Sequence, residues 1–107
     1  IKVDMKNVQN CDPVWIDTSD RGLQISKTVQ TEFFGNPTKI MYVGGSVGPA
    51  SFISMAGGPK LVSFGFQQTD ENFHTNNEFM RISSFEKAQR AYTRLLHALV
   101  GQPLKKQ

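Results

Sequence analysis

Residues 39–66, with the sequence KIMYVGGSVGPASFISMAGGPKLVSFGF, decide the predicted fold. The apolar run 39–43 contains β-branched and aromatic residues, which are typical of a buried strand. Pro49 suits the first turn of a helix, and the glycines that end this helix are followed by a second apolar run, 60–66. A strand, a helix and a strand in this order predict a βαβ unit with parallel strands and a right-handed crossover.

The segment before this unit carries the signals of a helix that runs to about Phe34. Ser19 and Asp20 can cap its start, because their side-chain oxygens can accept hydrogen bonds from the first free N–H groups. Gly35 suits its end, where glycine adopts the left-handed backbone conformation without strain. Apolar residues recur at a spacing of four along one side: Ile25, Val29 and Phe33.

A longer helix is predicted near the end of the chain. Ser83 and Glu86 match the Ser-x-x-Glu capping box, and Gly101 suits the position after its last residue, Val100. The predicted apolar face consists of Phe85, Ala88, Tyr92, Leu95, Leu96 and Leu99. Together the elements predict an α/β fold, a mostly parallel sheet with flanking helices in the order β-α-β-α-β-α.

The first residues follow a pattern of their own. Ile1, Val3 and Met5 alternate with polar residues, as expected of a half-buried strand that needs partners. The residues that follow include Pro13 and several turn formers, which indicates a hinge. We therefore predict a strand over 1–8, a hinge over 9–18, an α/β body over 19–101 and a flexible tail over 102–107.

Composition excludes several classes of protein. The chain has 12 basic and 9 acidic residues, and the basic residues form no stripe interleaved with aromatic ones, so we expect no nucleic-acid binding. No apolar run approaches the roughly 18 residues that would cross a bilayer, so we expect no membrane partner. The one cysteine, Cys11, can form no internal disulfide, which favours a reducing, cytoplasmic compartment.

The turn Gly44-Gly45-Ser46 lies where the first strand of the βαβ unit passes into its helix. Backbone N–H groups in such a turn can face an anion, and Ser46 adds a hydroxyl. The turn matches neither the dinucleotide-binding fingerprint nor the P-loop, so a doubly wound nucleotide binder is the weakest hypothesis. A tight connection packed against the sheet, without any ligand, explains the glycines equally well.

His74 lies in the polar segment after the strand 60–66, so we expect it at the same edge of the sheet as the glycine turn. A neutral imidazole can bind a metal ion or transfer a proton. Three acidic residues near it in sequence could bind the ion or orient the ring: Asp70, Glu71 and Glu78. The alternative is an exposed surface histidine, since His74 and Glu78 alone cannot form a zinc site, which needs three or four ligands.

Two motifs in this order resemble the closing segment of the di-zinc aminoacylase, carboxypeptidase and cytosolic dipeptidase family. They are GGSVGP at 44–49 and GFQQTDENFHTNNEF at 65–79, with a helix after them. In that family a Gly-Gly-Ser turn precedes a strand, and a Gly-Phe-Gly-like segment with acidic residues leads to a His-Ala-Pro-Asn-Glu motif. The resemblance covers roughly residues 20–100.

The resemblance implies a role for each matching residue. His74 corresponds to the last metal-ligating histidine of the family. Gly45 and Ser46 correspond to the turn that receives the free carboxylate of the substrate. Asn77 and Glu78 correspond to the pair that follows the histidine and shapes its loop. The strand 1–8 would then end an inserted lid or dimerisation domain.

The chain also departs from the family pattern. Thr75 and Asn76 stand where the family has Ala-Pro, and Pro49 lies later than the usual proline after the glycine turn. The family's His-x-Asp motif, bridging aspartate, Glu-Glu pair and further carboxylate ligand have no counterpart in the 107 residues. One ligand cannot hold two ions, so we expect this chain alone to be inactive.

The resemblance implies the C-terminal fragment of a metal-dependent peptidase or amidohydrolase that cleaves short peptides or N-acyl amino acids with two zinc ions. Its expected partners are the remainder of the enzyme chain and a small peptide substrate. Open sheet edges would also favour self-association into a homo-oligomer. The alternative function is a non-catalytic α/β module that binds an anion at the glycine turn.

Overall fold

A computed structural model of the chain describes residues 1–4, 6, 12–45, 48–55, 57 and 59–101, with only the backbone given at 51, 52, 54 and 55. It contains the helices α1 (Arg21–Phe34), α2 (Gly48–Met55) and α3 (Ile82–Leu99). Two compact units divide the chain. The first consists of Ile1–Asp17 and Met41–Leu61, and the second of Thr18–Ile40 and Val62–Gln107. The predicted tail, 102–107, and Ser46 lie outside the described residues.

The predicted α/β fold with a mostly parallel sheet is wrong, because no described residue lies in a strand. The runs 39–43 and 60–66 have no regular secondary structure apart from their flanking bends, and the described part of 1–8 has none either. A strand is held by hydrogen bonds to a neighbouring strand. The β-propensity of a segment indicates only that it suits a pleated, half-buried surface, and it does not say which segment will pair with it. Both runs have the composition of a strand, but neither pairs with another strand.

In the second unit the stretch 62–66 lies against α1 and α3. The hydroxyl of Tyr92 donates a hydrogen bond to the carbonyl oxygen of Phe64, and the amide of Gln30 donates one to the carbonyl oxygen of Gly65 at 3.1 Å. Helix side chains thus take the positions that strand partners would have in a sheet. The apolar residues that predicted a strand pack one side of this extended segment on the two helices, and helix side chains bond to its backbone carbonyl groups.

Helix α1 forms as its local sequence predicts. The side chain of Asp20 accepts hydrogen bonds from the N–H groups of Gly22 at 2.8 Å and Leu23 at 3.2 Å, which satisfies two of the free donors of the first turn. At the other end Gly35 has a φ of 73° and its N–H donates to the carbonyl oxygen of Thr31. Both predicted ends of this helix are confirmed.

Helices α1 and α3 run antiparallel and enclose the core of the second unit. The guanidinium of Arg21 donates to the carbonyl oxygen of Leu99, at 3.2 Å, while Lys87 lies over the ring of Phe34, 5.1 Å from its centroid. The start of α1 therefore lies beside the end of α3, and the end of α1 lies beside the start of α3. The core is formed by Val29, Phe66 and Ala91, with Ile25, Phe33, Phe34, Phe64 and Ala88 packed around it.

The packing face of α3 was predicted only in part. Leu95 is buried and Ala88 packs against the core, but Phe85 and Leu96 are 53% and 62% exposed. The buried positions are instead mostly small: Ser84, Ala91 and Ala98. Small side chains allow close approach of α1, so the helix turns this side to the core and leaves its larger apolar residues outside. We call Phe85, Tyr92, Leu96 and Leu99 the exposed apolar face of α3.

In the first unit, α2 follows the glycine turn, as the sequence predicts. Its Ala50 is buried, at 2% exposure. Trp15 and Tyr42 stack with ring centroids 5.0 Å apart, although both remain largely exposed. Among the described helices of the whole chain, none has the length and apolarity needed to cross a membrane.

Candidate functional site

The histidine loop, residues 67–81, connects the extended stretch to α3. Its inner part is closed by a backbone hydrogen bond from the N–H of Phe79 to the carbonyl oxygen of Glu71, at 3.1 Å. A smaller turn lies within it, because both the N–H and the hydroxyl of Thr75 donate to the carbonyl oxygen of Asn72. We call residues 67–71 and 79–81 the stem of the loop and residues 72–78 its tip.

Three residues of the tip have positive φ angles: Asn72 at 53°, His74 at 62° and Asn77 at 60°. Asparagine tolerates this left-handed conformation because its side chain can bond to the local backbone. Histidine is also found in this conformation more often than most residues, so all three residues suit the sharp turns of the tip.

His74 is exposed, and its ring packs edge-on against Phe73 with centroids 5.5 Å apart. The two predicted loop-shaping residues follow it. Asn77 takes the left-handed conformation, and the carboxylate of Glu78 accepts a hydrogen bond from the amide of Gln67 at 3.0 Å. This last contact joins the two sides of the loop.

Glu71 is fully buried in the stem. One carboxylate oxygen accepts from the N–H of Gln68 at 2.8 Å. The other accepts from the N–H of Arg81 at 3.0 Å and from its guanidinium at 3.2 Å, with the hydroxyl of Ser84 at 3.5 Å. These donors, the backbone N–H groups of Arg81 and Gln68 first, lower the pKa of Glu71, while burial acts to raise it.

Asp70 lies on the outer side of the same arginine. The two guanidinium nitrogens of Arg81 donate to its two carboxylate oxygens at 2.9 and 2.8 Å, a bidentate pair. The hydrogen bond from Arg81 lowers the pKa of Asp70, and Asp70 in turn raises the pKa of Arg81. Because Asp70 is largely exposed, water weakens this pair much more than the contacts of Glu71.

The structure gives each nearby carboxylate a partner other than His74. Glu71 and Asp70 bond to Arg81, and Glu78 bonds to Gln67. Among the described residues no three His, Cys, Asp or Glu side chains come together as a metal site would require. The donor set near the tip thus fits one ligand of a metal ion, His74, and no complete site.

The glycine turn belongs to the first unit, whereas the histidine loop belongs to the second. Gly44 and Gly45 form an exposed bend, and Ser46 lies outside the described residues. The expectation that Gly45 and His74 share one edge of a sheet has lost its basis, since no strand forms in the described parts of the chain. Their predicted roles stay predictions.

Arg81 is the residue of this site that the sequence did not reveal. It precedes α3 directly and bonds to residues 10 and 11 positions earlier, a spacing that belongs to neither helical nor strand periodicity. The only local signal was an acidic pair, Asp70-Glu71, followed later by an isolated arginine. Arg81 is also the N-terminal cap residue of α3, without a side-chain capping bond, so the Ser83–Glu86 capping box is wrong.

The two sequence motifs agree with a comparison to known families. The family model described as peptidase family M20/M25/M40 matches residues 2–98, nearly the whole chain. The chain therefore belongs to this peptidase family, whose members are generally metal-dependent, and the resemblance to the metallopeptidases is confirmed. Neither the curated proteins nor the solved structures include a significant match to the chain.

Proposed function

We propose that the chain is the C-terminal part of a metal-dependent peptidase or amidohydrolase that cleaves short peptides or N-acyl amino acids. The observation that carries this proposal is the family match over 2–98, which includes both the glycine turn and the histidine loop. In this view the chain supplies one wall of an active site. The other walls come from the remainder of the enzyme chain.

His74 is the metal ligand of this segment. Three features support the role: the imidazole is exposed, the backbone holds it at a positive φ, and the loop around it is closed by hydrogen bonds. The metal expected there is zinc, for which a neutral imidazole is a common ligand. When bound, divalent ions in such enzymes polarise the scissile carbonyl and activate a water molecule. His74 itself contributes a nitrogen at a fixed position.

Gly45 and Ser46 receive the free carboxylate of the substrate. Consecutive N–H groups in a glycine turn can bind an anion. Gly45 is exposed, and a Cβ at its position would lie 3.8 Å from a side-chain carbon of Val43. Binding the carboxylate end would align the scissile bond with the catalytic groups. Asn77 and Glu78 would keep the histidine loop in shape during this alignment.

The proposal also concerns location and partners. The single cysteine suits a cytoplasmic enzyme. The exposed apolar face of α3 supports contact with the rest of the enzyme or with another subunit, because large apolar side chains at 37–62% exposure gain by being covered. Without those partners the chain holds one metal ligand and should have no activity.

The test compares the two histidines of the chain. In the natural protein that contains it, His74→Ala should lower kcat/KM for a dipeptide or an N-acetyl amino acid by about 100-fold or more, equivalent to about 3 kcal/mol of transition-state stabilisation. It should also reduce the zinc content. His97→Ala, an exposed position on α3, is the matched control and should change neither. Equal activity and zinc content in both variants would reject the role of His74.

A second test uses the chain by itself. Titration with zinc should give only weak binding, since one imidazole cannot replace the three or four ligands of a stable site. Tight binding of one zinc ion per chain would contradict the proposal that the site is shared with residues elsewhere.

A further inference from the structure

The carboxylate of Glu71 has an environment that its neighbour Asp70 lacks. It is fully buried, and backbone N–H groups on both sides of the histidine loop, those of Gln68 and Arg81, donate to it. A buried carboxylate is tolerated only when donors satisfy its oxygens, and these do so. We call Glu71 with its partners Gln68, Arg81 and Ser84 the clasp.

The clasp brackets the loop tip from both sides. Gln68 lies before the tip and Arg81 after it, so the two oxygens of one side chain join chain positions that are 13 residues apart. The backbone carbonyl of Glu71 also accepts the N–H of Phe79. Among the described contacts, no part of the clasp touches His74. The tip that carries His74 lies between the two chain positions, Gln68 and Arg81, that bond to Glu71.

The backbone of the tip turns sharply. Asn72, His74 and Asn77 all have positive φ angles, a left-handed conformation that these residue types adopt more often than most others. Within the tip the fixed contacts are few, mainly those of Thr75 with Asn72. The clasp supplies the remaining constraint from the stem.

We propose that Glu71 is a positioning residue for the metal ion, one that holds the imidazole of His74 in its binding position before the ion arrives. This inference rests on the proposed role of His74 as a metal ligand. Pre-organised ligands bind a metal more tightly because their conformational entropy is already lost when the protein folds, and little more is lost when the metal binds. Glu71 therefore acts through the loop and needs no contact with the ion.

The chain offers a matched control for this role. Asp70 bonds to the same guanidinium of Arg81, but its side chain is 68% exposed and its bonds to that residue go only to the side chain. Loss of its charge leaves both backbone bonds of the clasp in place. Glu71→Gln keeps the size of the side chain, but its amide group turns a donor toward an N–H that also donates.

The experiment measures zinc affinity by chelator competition in the natural protein that contains this chain, at a temperature where each variant is folded by circular dichroism. Glu71→Gln should weaken zinc binding about 10- to 100-fold, while Asp70→Asn should change it less than about 3-fold. A purely structural role would lower the unfolding temperature of Glu71→Gln and leave the zinc affinity of the folded protein unchanged, and that result would overturn the inference.

His74→Ala separates this inference from the proposed function. If His74→Ala weakens zinc binding and Glu71→Gln does not, the inference fails and the metal-ligand role stands. If His74→Ala has no effect, the metal-ligand role itself fails. Should Glu71→Gln not fold, amide hydrogen exchange in the unsubstituted protein without metal still decides. Slow exchange at Gln68, Phe79 and Arg81 relative to Asn76 supports the clasp, and equally fast exchange at all four overturns it.

Discussion

Arg81 is shared by two carboxylates in very different surroundings, and this difference governs how the loop responds to pH. Glu71 is buried and bonded mainly to backbone N–H groups, whereas Asp70 is exposed and bonded to Arg81 through the guanidinium. Hydrogen bonds from Arg81 lower the pKa of both groups. Each of the two carboxylates therefore favours the folded loop in its ionised form.

Acidification should consequently open the histidine loop. A lowered pKa in the folded state contributes stability that is fully present above the unfolded values, 3.8 for Asp70 and 4.5 for Glu71. This contribution is lost as the pH falls below those values toward the folded ones. Hydrogen exchange at the amide of Phe79 should therefore accelerate below about pH 4.5, relative to an amide in the middle of α1.

Glu71→Gln provides the control for this pH dependence. The variant should show a more open loop already at neutral pH and little further change on acidification, because the group that titrates has been removed. Asp70→Asn should keep most of the dependence. A pH profile that is identical in the unsubstituted chain and in Glu71→Gln would contradict the assignment to the clasp.

Asn77 allows a test of the backbone conformation at the loop tip. With a φ of 60°, Asn77→Gly should cost little or stabilise slightly, whereas Asn77→Val should destabilise the loop by roughly 1–2 kcal/mol, because a β-branched residue is strained there. Chemical denaturation of both variants measures the difference. Similar stabilities for Gly and Val at this position would mean that the left-handed conformation is not retained in solution.

Parts of the site were predictable from the sequence and other parts were not. The position of His74 in a polar loop before the last helix follows from local composition, and so do the turn-forming asparagines around it. The partners of Glu71 do not, because Gln68 and Arg81 lie on opposite sides of the loop and meet only in three dimensions. The start of α3 at Ile82, set beside this cluster, was misplaced by two residues for the same reason.

At the scale of elements, the helices were easier to predict than the strands because their determinants are local. Helix α1 lies within 15 residues of both its cap and its stop, Asp20 and Gly35. A strand needs a partner that sequence periodicity does not name. The side chains of Gln30 and Tyr92 donate hydrogen bonds to the carbonyl oxygens of Gly65 and Phe64. Hydrophobic periodicity cannot predict such bonds between helix side chains and an extended stretch.

The cap of α1 gives a prediction at this scale. Asp20→Ala removes the acceptor of two N–H groups and should lower the free energy of unfolding by about 1 kcal/mol. Asp20→Asn should cost much less, since asparagine caps a helix nearly as well as aspartate. Thermal or urea unfolding of the two variants measures the contrast. An equal loss in both would show that charge matters here more than the capping bonds.

For the whole molecule, each of the two units leaves large apolar side chains exposed. The described core has few large side chains fully inside it, while Met41, Val43, Ile82 and Leu96 are more than 60% exposed. Within the second unit, Leu96 belongs to the exposed apolar face of α3, and exposed apolar patches commonly mark contact sites. This accords with the proposal that other parts of an enzyme normally cover the chain. Sequence patterns predict a strand at Met41 and Val43 and the inner face of α3 at Leu96.

The chain by itself should therefore self-associate. Size-exclusion chromatography should give an apparent mass that rises with concentration, because pairing two exposed apolar faces of α3 removes large side chains from water. Leu96→Glu should shift the chain toward the monomer, since it places a charge in the centre of that face. Thr93→Glu adds the same charge to the same helix outside the face and should have little effect. A clean monomer at every concentration, or equal effects of the two substitutions, would mean that the α3 face is not the contact and that its apolar side chains are tolerated in water.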